Sequence, residues 1–132
     1  MEYTTNQKIQ ECLRGYYSDS TKNATLNDLL KWWKNVASRS IKEDDIDEYL
    51  NDLFGTREII EKIINFIESN EKTQFIKELE FIDDRFRLNT VEVENPFWVE
   101  NNEFRKKYWF YYRAPKYLVE SENLKLKEVQ NQ

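Results

Sequence analysis

The residues able to do chemistry in this chain fall into three clusters, and the element predicted for each limits what it can do. The first is the acidic run Glu43-Asp44-Asp45-Ile46-Asp47-Glu48. Clustered carboxylates hold Mg²⁺ or Ca²⁺ through oxygen ligands, or meet a basic partner. The run lacks the glycine and the distal glutamate of a calcium-binding loop. At a helix start, acids are simply stabilised by the helix dipole. The run reads as a solvated helix start, with Glu43, Asp44, Asp47 and Glu48 as a partner-binding patch in the functional reading.

The second cluster is Asp83-Asp84-Arg85-Phe86-Arg87. Paired carboxylates do acid–base work when their environments separate their pKa values. Neighbouring residues on a helix point about 100° apart, so Asp83 and Asp84 do not converge. Asp83 and Arg87, four residues apart, suit a surface ion pair. The third cluster is Arg105-Lys106-Lys107-Tyr108-Trp109-Phe110-Tyr111-Tyr112-Arg113. Basic residues interleaved with aromatics bind single-stranded nucleic acid when the rings stack on bases. Here the aromatics are dense enough that most must be core, and the chain is acidic overall, with net charge −5. Nucleic acid is therefore not expected as a partner. Tyr and Trp also dominate binding hot spots, so Trp32 (beside Trp33), Tyr49 and Tyr111 are candidate anchors.

Composition closes other routes. With no His and only Cys12, the chain cannot build a usual structural zinc site, a disulfide framework, or a Ser-His-Asp or Cys-His catalytic site. Only Gly15 and Gly55 are present, which removes the glycine-rich phosphate loops. No catalytic residue, metal site or cofactor is assigned. Carboxylates working through a metal are the one enzymatic route left. The opening residues have no positive stretch followed by an apolar run, and nothing approaches the roughly 18 apolar residues of a membrane span. A cytoplasmic location without membrane association is expected.

Charge is unevenly spread. Residues 41–100 carry seven basic and seventeen acidic residues, whereas 101–132 carry seven basic and four acidic. The middle block is a candidate acidic surface.

The periodicity predicts a mainly α chain, a single-domain bundle of five to six helices over residues 1–119 with a polar tail over 120–132. Ile9, Cys12, Leu13, Tyr16 and Tyr17 share one face of a first helix. Thr25 caps a second, carrying Leu26, Leu29, Leu30, Trp33, Val36 and Ala37. Ser40 with Glu43 forms a capping box for a third, which carries Ile46, Tyr49, Leu50, Leu53 and Phe54 and stops at Gly55. Thr56 opens a fourth through Ile67, with Ser69-Asn70 as its exit. A fifth runs from about Lys72 to Leu88, with Phe81 broadening its apolar face. Residues 91–99 admit a short extended segment. Asn102 can cap a last helix to Arg113, and a hairpin strand is the rival there. Leu124, Leu126 and Val129 could dock the tail.

Two segments together resemble small bacterial proteins of the toxin-immunity type: Ile82-Asp83-Asp84-Arg85-Phe86 with Asn89-Thr90, then Trp109 with Arg113-Ala114-Pro115. The resemblance covers about a third of the chain and assigns no site residue. It implies a non-catalytic protein that neutralises a basic toxin domain by tight binding. The alternative is a helical structural or regulatory protein that self-associates as a homodimer.

Overall fold

The computed structural model describes residues 2–15, 24–38, 46–99 and 105–127. Tyr16, Tyr17 and the 18–23 loop lie outside the described residues, as do the Ser40–Glu43 capping box, the Asn102 cap and Val129. The fold is mainly helical, as the periodicity predicts, with one small antiparallel sheet.

Helix α1 (Gln7–Arg14) starts where Asn6 Oδ1 accepts the Ile9 amide at 3.0 Å. Gly15 is its C-cap, the Gly15 amide donating to the Cys12 and Leu13 carbonyls. Helix α2 (Leu26–Ser38) starts from a reciprocal cap. The Asp28 amide donates to Thr25 Oγ1 at 3.1 Å, and the Thr25 amide donates to Asp28 Oδ2 at 2.9 Å. All six residues predicted for its apolar face are buried.

The expected stop at Gly55 is absent. Helix α3 (Ile46–Asp52) passes through a wide π turn (Leu53–Glu58) directly into α4 (Ile59–Ile63) and a 3₁₀ turn (Ile64–Phe66). Backbone angles are helical at both junctions, with φ −63° and ψ −43° at Asp52 and again at Ile59. Gly55 has no positive φ and therefore does not terminate the helix. The Thr56 hydroxyl donates to the Asp52 carbonyl across the wide turn. Tyr49, Leu53, Ile59, Ile60 and Ile63 face the core throughout.

Helix α5 (Ser69–Leu88) begins one turn earlier than expected, so Ser69 and Asn70 are its first residues rather than an exit. Glu71, in its first turn, is 7% exposed and accepts the Thr4 amide and hydroxyl at 3.0–3.1 Å. Tyr3 packs edge-on to Phe75, and its hydroxyl donates to Glu78 at 2.5 Å. Residues 3–4 are thus strapped across α5. Phe81 does not broaden the apolar face; it stands 65% exposed.

Strand β1 (Val91–Glu92) pairs antiparallel with β2 (Arg113–Ala114), Val91 opposite Ala114. Residues 105–112 adopt neither the expected helix nor the rival hairpin strand. They form turns followed by a 3₁₀ segment (Trp109–Tyr112). The short segment buries Phe110 and Tyr112 and leaves the chain extended at Arg113, ready to pair with β1. Helix α6 (Lys116–Ser121) crosses the expected tail boundary at 120. Asn123 adopts φ 52° and the Leu124 amide bonds the Val119 carbonyl at 2.9 Å, a left-handed helix ending that asparagine tolerates. The chain then returns along the other side of β1. Val93 bridges Leu126, and the Glu94 and Lys127 amides donate to Lys125 and Glu92 carbonyls. Leu124 packs against the core as expected, whereas the Leu126 side chain stands 50% exposed and only its backbone bridges Val93.

Gly55 sits in a helical conformation, and a Cβ there would meet nothing within 4 Å. Gly55→Ala is predicted to stabilise the fold by about 0.4–1 kcal/mol, through lower unfolded-state entropy. Urea unfolding checks this: the midpoint should rise with an unchanged slope.

Candidate functional site

Arg57 and Asp83 are buried against each other. Their side chains are 4% and 7% exposed. Arg57 Nε and Nη2 donate to the two Asp83 oxygens at 3.0 and 3.1 Å, and Trp33 Nε1 donates to Oδ1 at 2.9 Å. The remaining arginine edge donates to Glu61 at 2.9 Å, while the guanidinium lies 5.1 Å from the Phe110 ring centroid. The expected Asp83–Arg87 surface pair is thus overturned: Asp83 faces inward, and Arg87 instead bonds Asp84 at 3.0 Å. The two carboxylates diverge as helix geometry requires. Asp83 accepts three hydrogen bonds and joins α2, the π turn and α5 as a structural pin.

The two segments carrying the family resemblance meet beside this pin. Phe86 packs on Trp33 and Trp109 with centroids 4.8 and 6.0 Å apart. Arg113 Nε donates to Thr90 Oγ1 at 2.9 Å, and Nη2 donates to the Thr90 and Arg87 carbonyls at 3.0 and 3.1 Å. A cation at the end of α5 satisfies carbonyls that the helix leaves open. A cavity of about 150 Å³ lies alongside, lined by Arg87, Glu92, Arg105, Trp109, Tyr112 and Arg113. Arg87 stacks on Trp109 at 4.0 Å and Arg105 on Tyr112 at 4.5 Å. Glu92 accepts from Arg105 at 2.7 Å and Lys127 at 3.0 Å. Burial pushes its carboxyl up, but these two hydrogen bonds and charges hold it below the usual range. Of the basic third cluster, Arg105 and Arg113 are spent on packing and internal pairing, while Lys106 and Lys107 are exposed.

The described residues among the sequence-predicted partner residues are not all at the surface. Asp47 and Glu48 are exposed on α3, whereas Glu43 and Asp44 lie outside the described residues. Tyr49 is fully buried, and its hydroxyl donates to the Arg113 carbonyl at 2.7 Å. It is a core residue, with no surface to offer a partner. Burial also holds its hydroxyl protonated. Trp32 is half-buried on α2. Tyr111 is half-buried on the 3₁₀ segment and donates to the Glu58 carboxylate, which places it against the π turn.

Sequence reasoning missed Phe54. It was placed on the apolar face with Leu53, yet it stands 47% exposed on the same continuous helix as Asp47 and Glu48. The crowding of Tyr49, Leu50, Leu53 and Phe54 was the available signal, since one helix face cannot bury all four. Further along, Glu58 is mostly buried, and its Oε2 has no hydrogen-bond partner. Lys62 lies 3.9 Å from that oxygen. Burial pushes the Glu58 carboxyl above its ordinary value, against the Lys62 charge and the Tyr111 hydrogen bond. Among the described residues, no group of three or more His, Cys, Asp or Glu is placed to hold a metal. No helix there is long and apolar enough to cross a membrane. Comparison with family models, with curated proteins and with solved structures returns no match.

Two predictions follow from the buried charges. Asp83→Ala strands the Arg57 guanidinium and is expected to cost about 3–5 kcal/mol in urea unfolding. Arg57→Met with Asp83→Leu, which removes both charges, should cost much less. Glu58 holds its proton more tightly when folded than when unfolded. Its ionisation therefore draws stability away as pH rises above about 4.5, the ordinary glutamate range. Glu58→Gln escapes that loss. It should be more stable than the wild type at pH 7, and the difference should close below pH ~4.

Proposed function

We propose that this chain is a non-catalytic protein-binding module of the immunity type, neutralising a basic toxin domain by tight binding. The observation that carries the reading is Phe54. It is an exposed aromatic on the same continuous helix as the exposed acids Asp47 and Glu48. An aromatic anchor with two exposed carboxylates on the same helix suits a basic surface with an apolar pocket. The carboxylates steer the encounter, and the ring sets the lifetime of the complex. The buried polar residues support the same reading, because Asp83, Glu71 and Thr90 are engaged in holding elements together.

Self-association is the second reading. Leu88 and Phe97 stand 85% and 64% exposed and are surfaces a second copy could cover.

Co-purification of the tagged chain with the product of the adjacent gene tests the binding function, and sedimentation tests self-association. With a captured partner, neutralising Glu43, Asp44, Asp47 and Glu48 together should slow association several-fold at low salt and leave dissociation nearly unchanged. Phe54→Ala should speed dissociation by about tenfold or more, the loss of a hot-spot side chain. An association rate indifferent to salt and to the four neutralisations rejects acidic steering. A dimer with no captured partner favours self-association.

A further inference from the structure

Helices α2 and α5 run side by side in the same direction. Trp33 meets Asp83 and Phe86, while Ala37 and Ser38 meet Asn89 and Arg85. On their outer side they leave a groove of about 590 Å³, within the ~300–1,000 Å³ range of binding pockets. Leu30 and Ile82, 9% and 6% exposed, reach it from the core. Phe81, the aromatic that the periodicity assigned to the core, lines it at 65% exposure.

Charge around this groove runs opposite to that of the whole chain. Lys31, Lys34 and Lys77 line it together with one acid, Glu78. Glu78 is already engaged, accepting from Tyr3 at 2.5 Å and Gln74 at 3.4 Å. The three lysines form no ion pair or hydrogen bond among the described residues. Lys31 and Lys34 share a face of α2, and Lys77 lies one turn before Phe81 on α5. Three unspent ammonium groups thus surround an apolar floor on a protein of net charge −5.

We propose that the α2–α5 groove is a docking site for an acidic amphipathic helix of a partner protein. The seam between two helices accepts the side-chain ridge of a third. An apolar stripe at i, i+3 or i+4, and i+7 would lie on Leu30, Ile82 and Phe81. Carboxylates flanking the stripe would meet Lys31 and Lys34 on one side and Lys77 on the other. This face differs in charge and location from the Phe54 surface, so it goes beyond the toxin-binding reading and stands or falls separately.

The test is an NMR titration of the full ¹⁵N-labelled chain with a synthetic helical peptide carrying a leucine stripe flanked by glutamates. A matched peptide with lysines in place of the glutamates is the control. Amide shifts should concentrate at residues 30–34 and 74–82 for the glutamate peptide alone, and added salt should weaken them. Phe81→Ser should reduce affinity tenfold or more, as should the triple change Lys31→Glu, Lys34→Glu, Lys77→Glu. Phe54→Ala should leave it unchanged. All these side chains are at the surface, and matched unfolding midpoints confirm that the variants are folded. Equal binding of the lysine peptide, no binding of the glutamate peptide, or indifference to Phe81→Ser overturns the proposal. So does a wild-type dimer that Phe81→Ser converts to monomer, which would make a second copy the occupant. Lysine-dependent binding to phosphatidylglycerol vesicles without peptide binding would assign the groove to a lipid surface instead.

Discussion

The Arg57–Asp83 pair is the constraint around which the rest of the structure is arranged. A buried ion pair stabilises little in itself, because desolvation of the two ions offsets much of their attraction. Its effect is on uniqueness. The bidentate geometry and the Trp33 indole fix three elements at once: slipping the π turn or α5 would leave a charge unpaired in the core, and slipping α2 would cost the indole its acceptor. The aromatic layer of Trp33, Phe86, Trp109 and Phe110 packs around that arrangement. The Arg113–Thr90 joint then fixes the end of α5 to the sheet.

Charge in the sequence and charge on the surface are different quantities here. Counted along the chain, residues 41–100 are strongly acidic. Folding consumes much of that excess. Glu71 and Asp83 are buried, and Glu61 serves Arg57. Glu92 and Glu94 are met by Arg105, Lys125 and Lys127 from the basic C-terminal stretch. What stays exposed on α3 is a narrow group, Asp47 and Glu48, while the lysines of α2 and α5 keep their charge at the groove. A chain of one net sign therefore presents faces of both signs.

The helices were legible wherever one face could be buried by simple period, as with the six core positions of α2. Legibility failed where a tertiary partner decided. Gly55 carries a stop signal, but the core on both sides of it needs a continuous helix, and a π turn absorbs the glycine. Asp83 has a plausible surface partner four residues away, yet Arg57, 26 positions distant, supplies two bonds instead of one. Residues 108–112 are five consecutive aromatics, so neither period describes them. Of the candidate site, Asp47 and Glu48 were readable as exposed acids. The burial of Tyr49 was readable only as a core alternative. Phe54 and Phe81 were hidden because hydrophobicity says what prefers burial, and exposed aromatics are exceptions to that rule.

The strap of residues 3–4 across α5 has a consequence for how the protein comes into being. Several of the fixing contacts join positions far apart in the chain: Tyr3 with Glu78, Trp33 with Asp83, Tyr49 with Arg113, Val93 with Leu126. During synthesis the N-terminus emerges long before its α5 partner exists, and β1 emerges before either of its neighbours. The aromatic pairs Tyr3–Phe75 and Trp33–Phe86 can close only once α5 has been made. Closure of these contacts waits on distant pairings, each of which must first meet the entropy of bringing its ends together.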